Sequence, residues 1–284
     1  MLKSYYYLTK PGIVWGNAIT ATAGYFLAAG RHFNPLVFGA TIVGLSLVVA
    51  ASCVYNNYID RGIDQKMSRT KNRALASGQI SPAAALIFGT VLALAGVATL
   101  ALFTNLLATA TALFGMFAYV VVYGYWKRRS WVGTIVGSVS GAIPPVVGYT
   151  AVTGNLSWAA FILFLTVVFW QMPHFYAIAI NRSADYESAG IPVLPLKKGL
   201  EATRWQILFF IVAYVVTSLS LYVFGYAGII YLVSALIIGL CWLIPAVRGF
   251  RTPDIKAWAR QMFGYSLMVI CLWCIAICVD AVVR

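Results

Sequence analysis

The sequence predicts an all-α, polytopic membrane bundle of nine transmembrane helices, on three observations. Of 284 residues, 62% are hydrophobic and 10% charged, and the mean hydropathy is +0.86. A soluble domain carries roughly 25% charged residues, so this chain has too little polar surface to face water. The apolar residues also fall in nine runs of about 20, the length that crosses a hydrocarbon core. Finally, 18 of the 20 basic residues fall in alternate breaks between those runs.

The runs lie at 12–30, 36–57, 83–104, 106–126, 131–152, 158–180, 205–225, 228–247 and 261–281. Asn105, Gly154–Asn155 and Gly225–Gly228 mark short turns. The breaks at 58–82, 181–204 and 248–260 are longer and charged. Lys and Arg favour cytoplasmic loops, so the alternation sets the N-terminus inside and the C-terminus outside. Only Arg31 and Arg284 fall on the far side. The expected location is the cytoplasmic membrane of a bacterium, as one membrane-embedded domain over 1–284. Met1 to Pro11 holds Lys3, Lys10 and three tyrosines without a short apolar core, so no cleavable signal peptide is expected. The net charge of +13 is spread over short loops. That is a topology pattern, so no nucleic-acid partner is expected; the lipid bilayer is.

Within the runs, Gly133, Gly137 and Gly141 form a small-residue stripe on the fifth helix. Pro144 and Pro145 follow it and should break that helix, either to shape a cavity wall, the favoured reading, or to mark a transport site. All five cysteines lie in apolar runs. Cys271 and Cys274 form a CxxC with Cys278 on the same helical face, and small apolar packing is the favoured reading over a redox or metal role.

Six of the seven acidic residues share the basic side, and the functional site is expected there. Asp280 alone lies at the opposite end, and its loss is expected to leave turnover close to unchanged. The sharpest constellation runs from Asn56 to Asp64: Asn56, Asp60 and Asp64 stand at i, i+4 and i+8, on one helical face. Three oxygen-bearing side chains in line suit a hard cation such as Mg²⁺, which keeps waters and bridges to phosphate. An ordinary solvated helix end is the competing reading, disfavoured because carboxylates near lipid are costly.

Asn181 and Asp185 repeat the Asn-xxx-Asp spacing near Glu187, four helices later. Basic residues flank both sets: Arg69, Lys71 and Arg73 after the first, Lys197 and Lys198 after the second, and Lys127 four residues after Tyr123. They suit diphosphate oxygens that a metal leaves free, although each cluster alone also serves topology. His174 lies inside an apolar run, after Trp170-Gln171-Met172-Pro173. It is either a satisfied structural histidine or a contact to substrate. The chain has no GxGxxG before a helix, no Walker loop and no HExxH, and one membrane histidine is a poor basis for a permanently bound haem.

The chain resembles the intramembrane aromatic prenyltransferase (UbiA-type) superfamily over nearly its whole length, and within it the branch acting on haem. The resemblance rests on Thr9-Lys10-Pro11-Gly12, Asn56-Asn57-Tyr58-Ile59-Asp60-Arg61, Arg69-Thr70-Lys71-Asn72-Arg73 and Gly141 to Tyr149. Trp170 to His174, Asp185-Tyr186 and Gly190 to Pro195 complete it. It implies nine helices around a central cavity, with Mg²⁺ as cofactor. It implies transfer of a farnesyl group from farnesyl diphosphate to a vinyl group of haem B, with water addition, giving haem O. Asn56, Asp60, Asp64 and Asp185 match metal-binding positions, and Tyr123 and Lys127 match the superfamily's Tyr-xxx-Lys. The catalytic set is then Asp60, Asp64, Asp185, Lys127 and Tyr123. The substrate-binding set is Arg69, Arg73, Lys127, Lys198, Asn181 and His174.

Two positions depart from the pattern. Gly62 stands where the haem branch has Asp, off the Asp60–Asp64 face, and Asn181 replaces the first Asp of the second motif. A homo-oligomer or a downstream haem-modifying enzyme are the partners considered. Prenyl transfer to a quinone precursor is the nearest competing function. A transporter is disfavoured because the acids gather at one interface rather than mid-membrane.

Overall fold

The computed structural model describes residues 2–284 as helices joined by turns, with no strand among them. The short α1 (Leu2–Leu8) precedes α2 (Pro11–Ala29), α3 (Pro35–Asp64) and α4 (Pro82–Phe103). The fourth span is α5 (Leu106–Phe117), a π-helical segment Ala118–Tyr123, and α6 (Gly124–Trp126). The fifth is divided into α7 (Gly133–Gly141) and α8 (Ile143–Thr153). Then follow α9 (Trp158–Asn181), the short α10 (Ser183–Ser188), α11 (Leu194–Val223), α12 (Ile229–Arg248) and α13 (Ile255–Val283). Eight spans meet the length and hydropathy expected of a membrane crossing. The remaining expected run is α2, present at 19 residues.

Local chemistry sets the helix ends. Proline opens α2, α3, α4, α8 and α11, where its missing N–H costs nothing. Asn34, Ser81, Asn105 and Asp254 cap α3, α4, α5 and α13 with side-chain oxygens. The expected break in the fifth helix falls at Ala142, just before Pro144 and Pro145. α3 runs further than its apolar stretch suggests, seven residues past Asn57 to Asp64. The charged segment that hydropathy reads as loop is therefore helical for two more turns.

Packing divides into a large cluster and two smaller ones. Trp242, Trp273, Tyr214 and Tyr231 are fully buried among α9, α11, α12 and α13. A second cluster joins α2, α3, α5 and α8 through Ala21, Leu45, Val48, Ala108 and Val147. There α2 and α8 meet backbone to backbone. A Cβ on Gly24 would lie 1.9 Å from the Pro145 carbonyl oxygen, and one on Gly148 would lie 2.0 Å from that of Ala21. Only hydrogen fits at either position, the membrane form of small-residue packing. α13 packs against α2, so the first and last long helices meet. Leu94, Leu102, Phe209 and Val216 face outward, as lipid contact requires. Trp15, Trp126 and Trp205 are exposed towards the charged end and Trp158 at the other, the placement of interfacial aromatic belts.

Asp280 has a structural part that its place in the sequence does not announce. It is buried, and its carboxylate accepts from the backbone N–H of Gly228 at 2.6 Å and of Tyr231 at 3.1 Å. Gly228, the N-cap of α12, has no side chain to do this, so α13 supplies the cap from across the bundle.

Candidate active site

The charged end of α3 is the organising element. Because the helix continues to Asp64, Asn56, Asp60 and Asp64 do lie on one face, and all three are buried, with Asn57 beside them. Gly62 is exposed with open space around it, consistent with a place off that face. A buried carboxylate needs a partner, and each finds one from a different part of the chain. Asp60 pairs with Lys127 and accepts from Arg128 at 3.0 Å, both just after α6. Arg73, from the loop after α3, donates to both oxygens of Asp64 at 3.0 and 2.9 Å, and to Asn57 Oδ1 at 3.3 Å. Lys10, between α1 and α2, donates to Asn56 Oδ1 at 2.6 Å, while Asn56 Nδ2 is buried without a partner.

Burial draws the Lys127 ammonium below its ordinary value, although Asp60 holds part of it back. Burial, reinforced by Arg73 and Lys127, brings the Lys10 ammonium down to about 8. Four cations thus gather around two carboxylates. The surplus positive charge suits an anion with several oxygens.

The fourth span shapes the opposite wall. Its π-helical segment carries Tyr119 and Tyr123 as a stacked pair with ring centroids 5.6 Å apart. Lys127 Nζ stands 5.1 Å from the Tyr123 ring centroid. A π turn inside an α-helix is uncommon and is frequently found at functional sites. The glycine stripe of α7 permits the approach. A Cβ on Gly137 would meet the Tyr123 ring at 2.8 Å, and one on Gly133 would meet the Lys127 backbone at 2.7 Å. Gly141 faces Gln171, whose Nε2 donates to the Ser138 carbonyl at 2.9 Å and ties α9 to α7.

The remaining expected residues are placed less closely. Asp185 is on α10 and accepts from Ser68 Oγ at 2.6 Å, so the loop after α3 reaches the second set. It does not join Asp60 and Asp64 in one cluster: among the described residues no three His, Cys, Asp or Glu converge as a metal site. The three carboxylates turn to separate partners, Lys127 with Arg128, Arg73, and Ser68. Asn181 is half-buried at the end of α9, while Glu187 and Lys198 are exposed. Arg69 lines a cavity of about 370 Å³ with Lys3, Tyr7, Asn57 and Arg73.

His174 faces α13. Its Nδ1 lies 2.8 Å from Ser266 Oγ, and its ring stacks on Trp170 at 5.2 Å and tilts against Phe263 at 5.0 Å. Ser266 Oγ itself donates to the Phe263 carbonyl at 2.6 Å.

An Mg²⁺ ion fits the donor chemistry of the α3 face, which is all oxygen: the Asn56 amide and the Asp60 and Asp64 carboxylates. Two carboxylates with waters and phosphate oxygens make an ordinary Mg²⁺ shell. Sequence reasoning missed Lys10 and Arg128, because each reads as a loop cation until the fold brings it to α3. The Lys-Pro-Gly junction, a lysine set at the very start of a span, was the one local signal for Lys10.

Residues 17–270 match the model of the UbiA prenyltransferase family. The chain is 46% identical to protoheme IX farnesyltransferase of Protochlamydia amoebophila, over 99% of this chain and 100% of that one. It is 49% identical to protoheme IX farnesyltransferase 2 of Pseudomonas paraeruginosa, over 98% and 95%. Among solved structures, a digeranylgeranylglyceryl phosphate synthase superposes with a TM-score of 0.82 at 21% identity, covering 100% of this chain and 99% of that one. A UbiA homologue from Archaeoglobus fulgidus bound to GPP and Mg²⁺ gives 0.69 at 13% identity, over 97% and 99%. At these identities the structural likeness speaks for the fold.

Proposed function

The chain belongs to the UbiA prenyltransferase family, and from that premise we propose that it transfers a farnesyl group from farnesyl diphosphate to a vinyl group of haem B, giving haem O. The end-to-end identity of 46–49% with relatives named protoheme IX farnesyltransferase carries the choice of substrates. The cation-rich face of α3 supports the diphosphate half of the reaction.

In this reading the C1–O bond of farnesyl diphosphate breaks and diphosphate leaves. The haem vinyl carbon bonds to C1, and the porphyrin-stabilised cation that results takes up water and loses a proton. Lys127, Arg128 and Arg73 bind the leaving oxygens, and Arg69 extends the same charge towards the mouth. Mg²⁺ would be held by Asn56, Asp60 and Asp64 and, when bound, would supply further neutralisation of the diphosphate. The relative from Archaeoglobus fulgidus was solved with GPP and Mg²⁺, which supports a divalent metal here. The stacked Tyr119–Tyr123 pair offers a π face to positive charge at C1. The apolar helices exclude water from that cation until the new bond has formed. His174, Trp170 and Phe263 form an aromatic patch suited to a flat acceptor.

The protein acts as one unit over 1–284 in a bacterial membrane, with the charged end of α3 on the cytoplasmic side. Release of inorganic diphosphate by the purified protein tests the pairing of substrates. Release should require farnesyl diphosphate, Mg²⁺ and haem B together. Release with a quinone precursor but not with haem B would move the chain to another acceptor.

A further inference from the structure

We propose that Lys10 is a further substrate-binding residue, a fourth cation that grips the diphosphate from the α1–α2 junction. The inference rests on the diphosphate-binding reading of the α3 face.

Its backbone is the first observation. Lys10 has φ 53° and ψ 66°, and it is the one non-glycine residue with positive φ among the described residues. Left-handed backbone is unfavourable for a residue with a Cβ and no short polar side chain to satisfy it locally. Such strain persists where the surrounding structure enforces it, and it concentrates at functional sites. Here the turn does one specific thing: it directs the lysine inward from the start of a membrane span, against α3.

The second observation is what the ammonium meets. Nζ has three donors and a single hydrogen-bond partner, Asn56 Oδ1 at 2.6 Å. A neutral amide is a weak partner for a part-buried ammonium. The nearby carboxylates are already engaged, Asp60 by Lys127 and Arg128, Asp64 by Arg73. Arg73 and Lys127 repel Lys10, and Asp60, which attracts it, is shared with Lys127 and Arg128. Were Lys10 structural, it would face a carboxylate or a set of carbonyls. It adds positive charge to a cluster already in surplus, beside a buried Asn56 whose Nδ2 is also unpartnered. An anion with several oxygens relieves each of these conditions. Phosphate and haem carboxylates both qualify; the shared surroundings of Lys10, Lys127 and Arg73 select the diphosphate.

The anchoring of α1 fits this role. Asn57, next to Asn56, donates to the Leu8 carbonyl at 2.8 Å, and Leu8 is buried against Val54, Leu75 and Ile80. The junction is therefore fixed to the same helix that carries the candidate metal ligands.

The test compares wild type with Lys10→Asn, Lys10→Gly and Lys10→Arg as full-length protein in detergent. Asn and Gly both tolerate positive φ and remove the cation, so either keeps the turn. Binding of inorganic diphosphate with Mg²⁺, and of farnesyl diphosphate, is measured by calorimetry, and haem B binding by its Soret band. Lys10→Asn and Lys10→Gly should weaken both diphosphate ligands by roughly 10-fold or more, since a hydrogen bond to a charged group is lost. Haem B binding and the thermal midpoint should stay at wild-type values, and Lys10→Arg should recover part of the affinity. Unchanged diphosphate affinity in a folded Asn or Gly variant overturns the proposal. So does a loss confined to haem B, which would give Lys10 to the haem carboxylates. If wild type binds diphosphate but never alkylates haem B, the acceptor reading fails while the role of Lys10 stands.

Discussion

Arg73 holds both carboxylate oxygens of Asp64 with one guanidinium nitrogen, at 3.0 and 2.9 Å, and so fastens the loop after α3 to that helix. The pair predicts two different failures. Asp64→Ala removes a carboxylate from the proposed metal face and should lower turnover by at least roughly 100-fold, since losing an outer partner of a metal site alone costs up to about that. Arg73→Ala leaves a buried carboxylate alone and should also destabilise the protein. The loss should be about 2 kcal/mol, below the fully buried range because Arg73 is partly exposed. Turnover and thermal unfolding of both variants separate the two effects. Normal turnover in Asp64→Ala would remove α3 from the reaction.

Asp280 predicts the opposite pattern. Asp280→Ala uncaps α12 and should cost about 1–2 kcal/mol of stability through two lost backbone partners. Activity per folded molecule should hold, because the residue lies at the other end of the bundle. Asp280→Asn keeps one acceptor oxygen and should lose less. Unfolding midpoints against activity of the folded fraction decide it.

His174 should separate acceptor from donor. His174→Ala should depress haem farnesylation while leaving Mg²⁺-dependent farnesyl diphosphate binding near wild type, since its partners are Trp170, Phe263 and Ser266. A pure binding role raises the haem KM, and a role in the transition state lowers kcat. If farnesylation is unchanged, the histidine is structural. If diphosphate binding falls as well, it belongs to the other subsite.

Orientation is testable without activity. Reporter fusions at Arg73, Lys127, Lys198 and Arg251 should read cytoplasmic, and fusions at Arg31 and Asn155 external, because Lys and Arg are retained inside. A cytoplasmic reading at Asn155 would break the alternation of the nine spans.

The spans were legible because burial in lipid demands runs of apolar residues, and the proline pair at 144–145 marked the broken helix correctly. The Asn56–Asp60–Asp64 face was legible because helical spacing is local. What escaped depends on distant partners. Nothing near Asp280 in sequence announces that α12 begins at a bare glycine 52 residues away. Lys10 and Arg128 read as topology signals until α3 places Asn56 and Asp60 against them, 46 and 68 residues away. The π-helical turn that stacks Tyr119 on Tyr123 has no compositional mark, and Gly24 and Gly148 show their purpose only once α2 and α8 touch. Asp185 illustrates the converse. Its spacing from Asn181 repeats the first set, yet Asn181 ends α9 and Asp185 begins a separate short helix, so the repeat in sequence is not a repeat in geometry.

The most direct test is mass analysis of haem after incubating purified protein with haem B, farnesyl diphosphate and Mg²⁺. The expected product is a haem carrying one hydroxyethylfarnesyl group, formed by wild type and absent with Asp60→Ala. Recovery of haem B alone, under conditions where farnesyl diphosphate is bound and another aromatic acceptor is prenylated, would contradict it.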